Sequence, residues 1–186
     1  MNAIVSVTSD WAIGNEGHLI VPNRDDMRRF VALTTGATVL MGRTTFESFP
    51  NGPLKGRRNV VVTRQPSYES DHPGIDCAHS LDAALELVAP DEEGRGVWLI
   101  GGERLYRSLL PRCERCYVTR NRTSVPADAY FPTSTPTPTG SLRKWRRAAS
   151  PTRGSPSTLR RIETSRLGSR HAARCARRRR CCHPRR

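Results

Sequence analysis

The chain has no apolar stretch long enough to cross a membrane. Its N-terminus enters an apolar, strand-like run directly and lacks the pattern of a signal peptide. Both absences argue against a membrane protein. We therefore expect a cytoplasmic protein without a membrane partner.

Acidic residues are almost absent from residues 133–186, where one Glu stands against 16 Lys and Arg. Residues 1–132 carry 15 basic and 16 acidic residues, so the net charge of +14 belongs wholly to the tail. The tail is also poor in large apolar residues and rich in Pro, Ser, Thr and Arg, so it cannot bury enough surface to offset its ordering entropy. We expect one domain over residues 1–132 and a disordered, basic, low-complexity tail over residues 133–186.

Six cysteines are divided equally between the domain and the tail. The segment Cys113-Glu-Arg-Cys116 has the spacing of a redox motif, but it precedes a strand pattern. Reactive thiolates are stabilised where such a motif opens a helix instead. We expect reduced structural thiols and no metal site, with redox or metal chemistry as the alternative.

Short apolar runs rich in β-branched residues alternate with helical patterns through residues 1–132. The pattern predicts strands over 3–8, 38–41, 59–63, 97–100 and 116–120, and helices over 25–34, 44–49, 81–88 and 104–110. Continuously apolar strands separated by helices are typical of a mainly parallel sheet covered on both faces. The predicted class is α/β, a three-layer sandwich.

Three of the strands end in small or basic residues, and two of these ends lead into helices, a pattern that suggests a nucleotide cofactor. Gly101-Gly102 follows one strand, where glycine lets a ligand approach the backbone and a helix start attracts phosphate, although a tight turn needs glycine as well. Arg43 and Arg64 follow two other strands. Their guanidinium groups could hold a phosphate dianion, or they could be ordinary surface arginines.

The first predicted helix carries an acidic residue and an aromatic residue on one face. Asn23 has the position of its N-cap, Asp26 is the third helical residue, and Phe30 follows four residues later. The Asp26 carboxylate could simply be part of a capping box and interact favourably with the positive end of the helix dipole. It could instead be a carboxylate beside an aromatic wall, suited to pairing with the amidine-like edge of a heterocycle.

Seven segments follow one another along the domain: Ile13-Gly14, Asp26-Met-Arg-Arg-Phe30, Met41-Gly-Arg-Thr-Thr45, Pro53-Leu-Lys-Gly-Arg57-Arg-Asn, Ile100-Gly-Gly-Glu-Arg-Leu-Tyr106, Tyr117-Val-Thr119 and Asp128-Ala-Tyr-Phe-Pro132. Ordered and spaced in this way, they resemble the motifs of the dihydrofolate reductases, over residues 1 to about 132. The resemblance implies NADPH-dependent reduction of 7,8-dihydrofolate to 5,6,7,8-tetrahydrofolate for one-carbon metabolism. Hydride would go to C6 and a proton to N5, and the protein is expected to be a monomer.

The same resemblance assigns roles to individual residues. Asp26 would grip the 2-amino and N3 edge of the pterin and favour protonation at N5, with the Thr119 hydroxyl in support. The other substrate-binding residues would be Ile4, Val5, Phe30, Phe49, Leu54, Tyr106 and Arg57, the last of which would pair with the glutamate carboxylate. The cofactor-binding residues would be Ser6, Ile13, Gly14, Gly42, Thr45, Gly101, Gly102, Glu103, Arg104, Leu105 and Tyr106, with Arg43, Thr44, Thr63 and Arg64 at the ribose 2′-phosphate.

The chain departs from the family's pattern in two places. Val21 stands where the family usually has an indole that donates a hydrogen bond near the pterin. After Pro132 the family continues with an acidic segment and two final antiparallel strands, which we expect to be missing from this chain. Our hypothesis is that the tail is the proper coding sequence read in a shifted frame. With GC-rich codons chosen for these residues, one such shift can give both an acidic segment from residue 133 and an apolar strand over residues 153–163. The alternative is a genuine, disordered basic extension.

Besides an active dihydrofolate reductase, three other interpretations of the chain's function remain open. The pyrimidine reductase of riboflavin synthesis shares the fold and a similar cofactor site. A catalytically defective chain would result if the missing strands are needed for folding. The basic tail could bind nucleic acid, but apart from Trp145 no aromatic residue lies among its arginines, so we expect only non-specific binding to polyanions.

Overall fold

A seven-stranded sheet organises the chain. The structure, a computed structural model, describes residues 1–133 and 157–162, with side chains described for residues 1–133. The strands are β1 Asn2–Val7, β2 Ala12–Asn15, β3 His18–Leu19, β4 Thr38–Gly42, β5 Arg58–Val62, β6 Asp76–Ala78, β7 Val97–Gly101, β8 Arg115–Asn121, β9 Ala129–Tyr130 and β10 Ser157–Ile162. The helices are α1 Arg24–Thr34, α2 Arg43–Glu47, α3 Tyr68–Asp71, α4 Leu81–Glu93 and α5 Glu103–Leu109, followed by a 3₁₀ turn at Leu110–Arg112.

The strands of the main sheet lie in the order β10-β8-β1-β7-β4-β5-β6. Every pair is parallel except β10 with β8, which is antiparallel. The carboxyl ends of β1, β4, β5 and β7 therefore meet at one edge of the sheet. In an open parallel sheet this edge is where ligands bind.

Side chains of the central strands alternate between two separate cores, one on each face of the sheet. Along β4, Leu40 packs in the core that α4 and α5 cover, whereas Val39 and Met41 pack in the core that α1, α2 and α3 cover. All three side chains are fully buried. This alternation follows from the two-residue period of a strand, and it confirms the predicted layered α/β class.

Nine elements were predicted, and all nine form, with ends shifted by one or two residues in most cases. The largest shift is in α4, which was predicted to end at residue 88 and continues through Pro90 to Glu93. The additional turn contains Asp91, whose carboxylate accepts hydrogen bonds from Thr38 and Arg58 on two neighbouring strands and so attaches this part of α4 to the sheet. Tertiary contacts of this kind override local helix preference.

Short strands and one short helix were missed by the sequence analysis. β2, β3 and β9 form a separate three-stranded antiparallel sheet beside the loop that precedes α1. Two of these strands have only two residues, which is too short for an alternation of apolar and polar residues to be recognised in the sequence. β6 and α3 are also short, with three and four residues.

The antiparallel edge strand β10 corrects one expectation for the tail. Residues 157–162 pair with β8 from Ser157↔Asn121 to Ile162↔Cys116, so for this segment the expectations of disorder and of a missing edge strand are wrong. The segment Ser-Thr-Leu-Arg-Arg-Ile contains strand-forming residues, and the open edge of β8 supplies hydrogen-bond partners. The expectation for the rest of residues 134–186 lies outside the described residues.

Within residues 1–133 and 157–162, no helix is both long enough and apolar enough to cross a membrane.

Candidate active site

An open cleft of about 1280 Å³ lies at the carboxyl ends of the parallel strands. Its lining includes Ile4, Val5 and Ser6 of β1, Gly42 at the end of β4, Val62 at the end of β5, and Ile100 and Gly101 at the end of β7. Helices α1, α2 and α5 contribute the rest of the walls. The cleft is therefore at the edge where the fold itself gathers strand ends and helix starts.

Asp26 lies in this cleft because Asn23 fixes the start of α1. The side-chain Oδ1 of Asn23 accepts hydrogen bonds from the backbone N–H groups of Asp25 at 3.1 Å and Asp26 at 3.2 Å, as an N-cap does. Phe30, one turn later, lines the same cleft, so the predicted shared face is confirmed. Within the described part of the chain, the Asp26 carboxylate accepts no hydrogen bond.

Tyr106 forms part of the cleft wall where α5 approaches β1. Its hydroxyl donates a buried hydrogen bond of 2.7 Å to the carbonyl oxygen of Ile4. Burial raises the pKa of Tyr106 well above its ordinary value, and the charges of Cys116, Cys113 and Asp26 add to the effect. The phenol is therefore a permanent hydrogen-bond donor over the ordinary pH range.

Three glycines leave part of the cleft wall without side chains. A Cβ on Gly102 would lie 3.2 Å from Oγ1 of Thr45, which is tighter than an ordinary contact. Gly101 has φ +128°, which side-chain-bearing residues rarely adopt, and the peptide bond between the two glycines is cis. Gly42 faces them, since a Cβ there would lie 3.8 Å from the Gly102 nitrogen. A flat ligand could therefore approach the backbone closely here.

Arg43 and Arg64 lie at neighbouring strand ends, as predicted, and both line the cleft. One guanidinium nitrogen of Arg43 contacts both carboxylate oxygens of Glu47, at 2.8 and 2.9 Å. The hydroxyl of Tyr68 donates to Glu47 at 3.1 Å and holds that carboxylate in place. These contacts fix the orientation of Arg43 and leave its other guanidinium nitrogens for a ligand.

A second cavity of about 790 Å³ adjoins the cleft and shares Met27, Phe30 and Phe49 with it. Leu54 lines this second cavity. Arg57 stands beside it, with its guanidinium carbon 5.5 Å from the centre of the Phe30 ring and its Nε donating to Thr34 at 2.8 Å. Burial lowers the pKa of Arg57.

Most of the predicted site residues come together in the main cleft, with three exceptions. Leu54 lines the adjoining cavity, whereas Arg57 and Thr119 line neither. Thr119 is buried in β8 opposite Ser6, and within residues 1–133 no direct hydrogen bond joins its hydroxyl to Asp26. The lining residues that the sequence analysis missed are Gly17, His18, Leu19, Met27, Ser48, Val62, Gln65, His79, Ile100, Arg107, Asp128 and Ala129.

Some of these missed residues had a usable signal in the sequence. Val62 and Ile100 are the last or penultimate residues of strands whose following residues were predicted to bind a ligand. Gln65 directly follows Arg64. The loop residues from Gly17 to Leu19 and Asp128 had no such signal, because they reach the cleft through the small sheet that the pattern did not show.

Cys77, Cys113 and Cys116 are free thiols in the structure. Burial raises the pKa of Cys113 to about 12 and that of Cys116 to about 12. Thiols of this kind stay protonated and unreactive, in agreement with the predicted structural role. Within the described residues, no group of three or more His, Cys, Asp or Glu side chains is placed to hold a metal ion.

The fold and the cleft define an α/β protein with an open cleft at the carboxyl ends of a mainly parallel sheet. The family model for dihydrofolate reductase matches residues 1–152. The chain belongs to the dihydrofolate reductase family.

Curated relatives show how much of such proteins the chain covers. It is 47% identical over 107 residues to a dihydrofolate reductase type 3 of Salmonella typhimurium, covering 58% of this chain and 62% of the relative. It is 36% identical over 146 residues to a dihydrofolate reductase of Schistosoma mansoni, covering 71% and 77%. The first relatives in order of similarity are matched over 62–64% of their own length.

A solved structure of a similar protein agrees with the fold. A dihydrofolate reductase from Enterococcus faecalis, complexed with NADP(H) and RAB-propyl, superposes with a TM-score of 0.68 at 28% sequence identity. The match covers 87% of this chain and 90% of the other.

Proposed function

We propose that this chain catalyses the NADPH-dependent reduction of 7,8-dihydrofolate to 5,6,7,8-tetrahydrofolate. The reaction adds a hydride at C6 and a proton at N5 of the pterin. Family membership and the named relatives support the reaction class. The observation that carries the proposal in this chain is the position of Asp26, on the face of α1 that also presents Phe30 to the cleft.

Asp26 differs from the other acidic residues of the cleft in what it contacts. Glu103 accepts hydrogen bonds from Arg107 at 2.6 Å and from the Tyr130 backbone N–H at 3.0 Å, and Asp128 accepts one from the Glu16 backbone N–H at 2.9 Å. Asp26 has no such partner within the described residues. Its two carboxylate oxygens are thus available for two parallel N–H donors, which the 2-amino and N3 edge of a pterin provides.

Apolar side chains complete the proposed substrate site. Ile4, Val5, Phe30 and Phe49 line the same cleft as Asp26, and Leu54 lines the adjoining cavity. These residues would exclude water from the pterin and the benzoyl group. The Arg57 guanidinium, oriented by Thr34 and by the Phe30 ring, would pair with the glutamate carboxylate.

The cofactor half of the cleft fits a phosphorylated dinucleotide. A side chain on Gly101 or Gly102 would occupy the space beside Thr45, so these residues leave room for a flat ring close to the backbone. Arg43 and Arg64, together with Thr44 and Thr63, offer cationic and hydroxyl donors suited to a phosphate dianion. NADPH would supply the hydride when bound. The protein's own contribution is to position the two ligands and to present one carboxylate.

The test compares the full chain with two variants of adjacent carboxylates on α1. Asp26→Asn removes the proposed pterin contact, whereas Asp25→Asn changes an exposed neighbour that pairs with Arg28 at 3.5 Å. With dihydrofolate and NADPH, we expect Asp26→Asn to lower kcat at neutral pH by about 10²–10⁴-fold and Asp25→Asn to leave kcat nearly unchanged.

Two results would contradict the proposal. One is equal turnover by Asp26→Asn and the unaltered chain. The other is a chain that oxidises NADPH with a ribosylaminopyrimidine but not with dihydrofolate, which would support the pyrimidine reductase instead.

A further inference from the structure

Asn121, the last residue of β8, links β1 to the N-cap of α1 through its side-chain amide. Its Nδ2 donates to Oγ of Ser6 at 2.9 Å and to the carbonyl oxygen of Val7 at 3.2 Å, both on β1. Its Oδ1 accepts from Nδ2 of Asn23 at 3.0 Å. The residue is 7% exposed, so a polar side chain has been buried at this point and fully paired.

Backbone groups fix the orientation of both amides. The Val7 carbonyl can only accept, so the nitrogen of Asn121 must face it. The N–H groups of Asp25 and Asp26 can only donate, so the oxygen of Asn23 must face them. The remaining groups, the Asn121 oxygen and the Asn23 nitrogen, then form the hydrogen bond that joins the two residues. This arrangement satisfies every partner. Reversing Asn121 would place its oxygen against the Val7 carbonyl oxygen, and reversing Asn23 would place its nitrogen against the two backbone N–H groups.

The chain of contacts runs from β1 to the residue proposed to hold the pterin. Ser6 lines the cleft, Asn121 connects it to Asn23, and Asn23 caps the backbone N–H of Asp26. β1 and β8 are paired along six residues, so they form a rigid base for this link. The first turn of α1 is thereby tied to the sheet by a side-chain contact, in addition to its own helical hydrogen bonds.

We propose that Asn121 is a positioning residue for the dihydrofolate site, which acts through Asn23 to hold the Asp26 carboxylate at a fixed place relative to β1. The inference rests on the proposed function. Its physical basis is that a bidentate contact tolerates little displacement, and a shift of about 1 Å in a positioned group can cost up to a hundredfold in rate. Loss of the link would loosen the start of α1 while leaving the carboxylate itself unchanged.

The experiment distinguishes the Asn121–Asn23 hydrogen bond from the capping of the Asp26 N–H by Asn23. Asn23→Ser retains an oxygen that can cap the Asp26 N–H but cannot reach Asn121, whereas Asn121→Ala removes the link from the other side. The full chain, the two single variants and the double variant are compared in dihydrofolate affinity, by titration of intrinsic fluorescence, and in kcat/KM. We expect each single variant to lose about tenfold in both quantities. We expect the double variant to lose no more than the worse single variant, because the two changes remove one interaction.

Thr38→Val serves as the control for a general loss of stability. It removes a hydrogen bond of 2.7 Å to Asp91, outside the cleft. We expect Thr38→Val to lower Tm without changing dihydrofolate affinity. If Asn23→Ser and Asn121→Ala behave in the same way as Thr38→Val, or if their effects on affinity add, the positioning role is overturned. If the unaltered chain binds no dihydrofolate, the proposed function fails and this inference fails with it.

Discussion

The hydroxyl of Tyr106 donates a hydrogen bond of 2.7 Å to the carbonyl oxygen of Ile4 at the wall of the cleft. Tyr106 is on α5 and Ile4 on β1, and both line the cleft. The bond therefore joins α5 to β1, two elements of the cleft wall. Because Tyr106 is 2% exposed, no water can replace its hydroxyl without rearrangement.

Tyr106→Phe should lower the free energy of unfolding by about 1–3 kcal/mol, since the Ile4 carbonyl is left buried without this donor. Urea denaturation measures the change. Tyr130→Phe is the matched control, because that tyrosine is 40% exposed and its hydroxyl makes only a long contact of 3.3 Å with the Ala127 carbonyl. An equal loss in both variants would show that the buried bond contributes nothing of its own.

Arg64→Gln should raise the KM for NADPH by about tenfold or more and leave the KM for NADH nearly unchanged. The expected loss corresponds to one charge-assisted contact with the 2′-phosphate, which NADH lacks. Arg122→Gln removes the same charge from an exposed position outside the cleft and should affect neither cofactor. Steady-state kinetics with both cofactors at two salt concentrations provides the measurement. A parallel rise for NADPH and NADH would count against a phosphate contact.

Asp91 joins α4 to two strands of the sheet. Its carboxylate accepts hydrogen bonds of 2.7 Å from Thr38 and 2.7 Å from Arg58, and it pairs with Arg95 at 3.2 Å. Burial works to raise the pKa of Asp91, but the bonds from Thr38 and Arg58 and the nearby positive charges prevail and lower it. The carboxylate thus contributes stability above its unfolded pKa, and this contribution is lost as the pH falls through the folded pKa.

Asp91→Asn should accordingly destabilise the protein by about 2 kcal/mol at neutral pH and flatten the acid side of its stability profile. Glu93→Gln, an exposed change near the end of the same helix, should stay within about 0.5 kcal/mol of the unaltered chain. Unfolding is followed from about pH 7 down to about pH 3, across the range in which aspartates titrate. Identical acid profiles for Asp91→Asn and the unaltered chain would contradict the assignment.

The thiols of Cys113 and Cys116 should resist alkylation in the folded protein. Burial raises each pKa to about 12, from an ordinary value of 9.0, so the folded state keeps its protons where the unfolded state has lost them. Stability from these thiols is therefore full below about pH 9 and declines as the pH rises toward 12. Peptide mapping after iodoacetamide treatment should show Cys77, which is partly exposed, modified before the buried Cys116. Early labelling of Cys116 would refute the prediction.

The sequence predicted the helices and strands in which apolar residues form a recognisable pattern. It also predicted the site residues that directly follow strands. Val39, Leu40 and Met41 form an apolar run followed by glycine and arginine, and both the strand and its position beside the cleft could be inferred from that pattern. The helix start at Asn23 could be predicted for a similar reason, because capping depends on neighbours only three residues away.

Interactions between distant residues could not be predicted in this way. Asn121 is 98 residues from Asn23 and 115 residues from Ser6 along the chain, and an isolated asparagine at the end of a strand is no sign of either contact. The loop around Gly17 reaches the cleft because β2 pairs with β9, again across more than a hundred residues. Such pairings depend on the assembled sheet rather than on any local preference.

The structure of residues 157–162 in the tail also could not be predicted from composition. Composition favoured disorder throughout the tail, yet residues 157–162 of the chain as written form β10. Pairing with the open edge of β8 gives that segment an environment that composition alone does not represent.

Because β8 lies between β1 and β10, hydrogen exchange of its amide groups can distinguish the loss of one neighbouring strand from the loss of the other. Alternate amide groups of a strand point to opposite neighbours, so some of those on β8 bond to β1 and others to β10. In a hydrogen–deuterium exchange measurement, the first set should stay protected for as long as the parallel sheet is intact. The second set should exchange whenever residues 157–162 detach, so the two rates along one strand would distinguish release of that segment from unfolding of the domain.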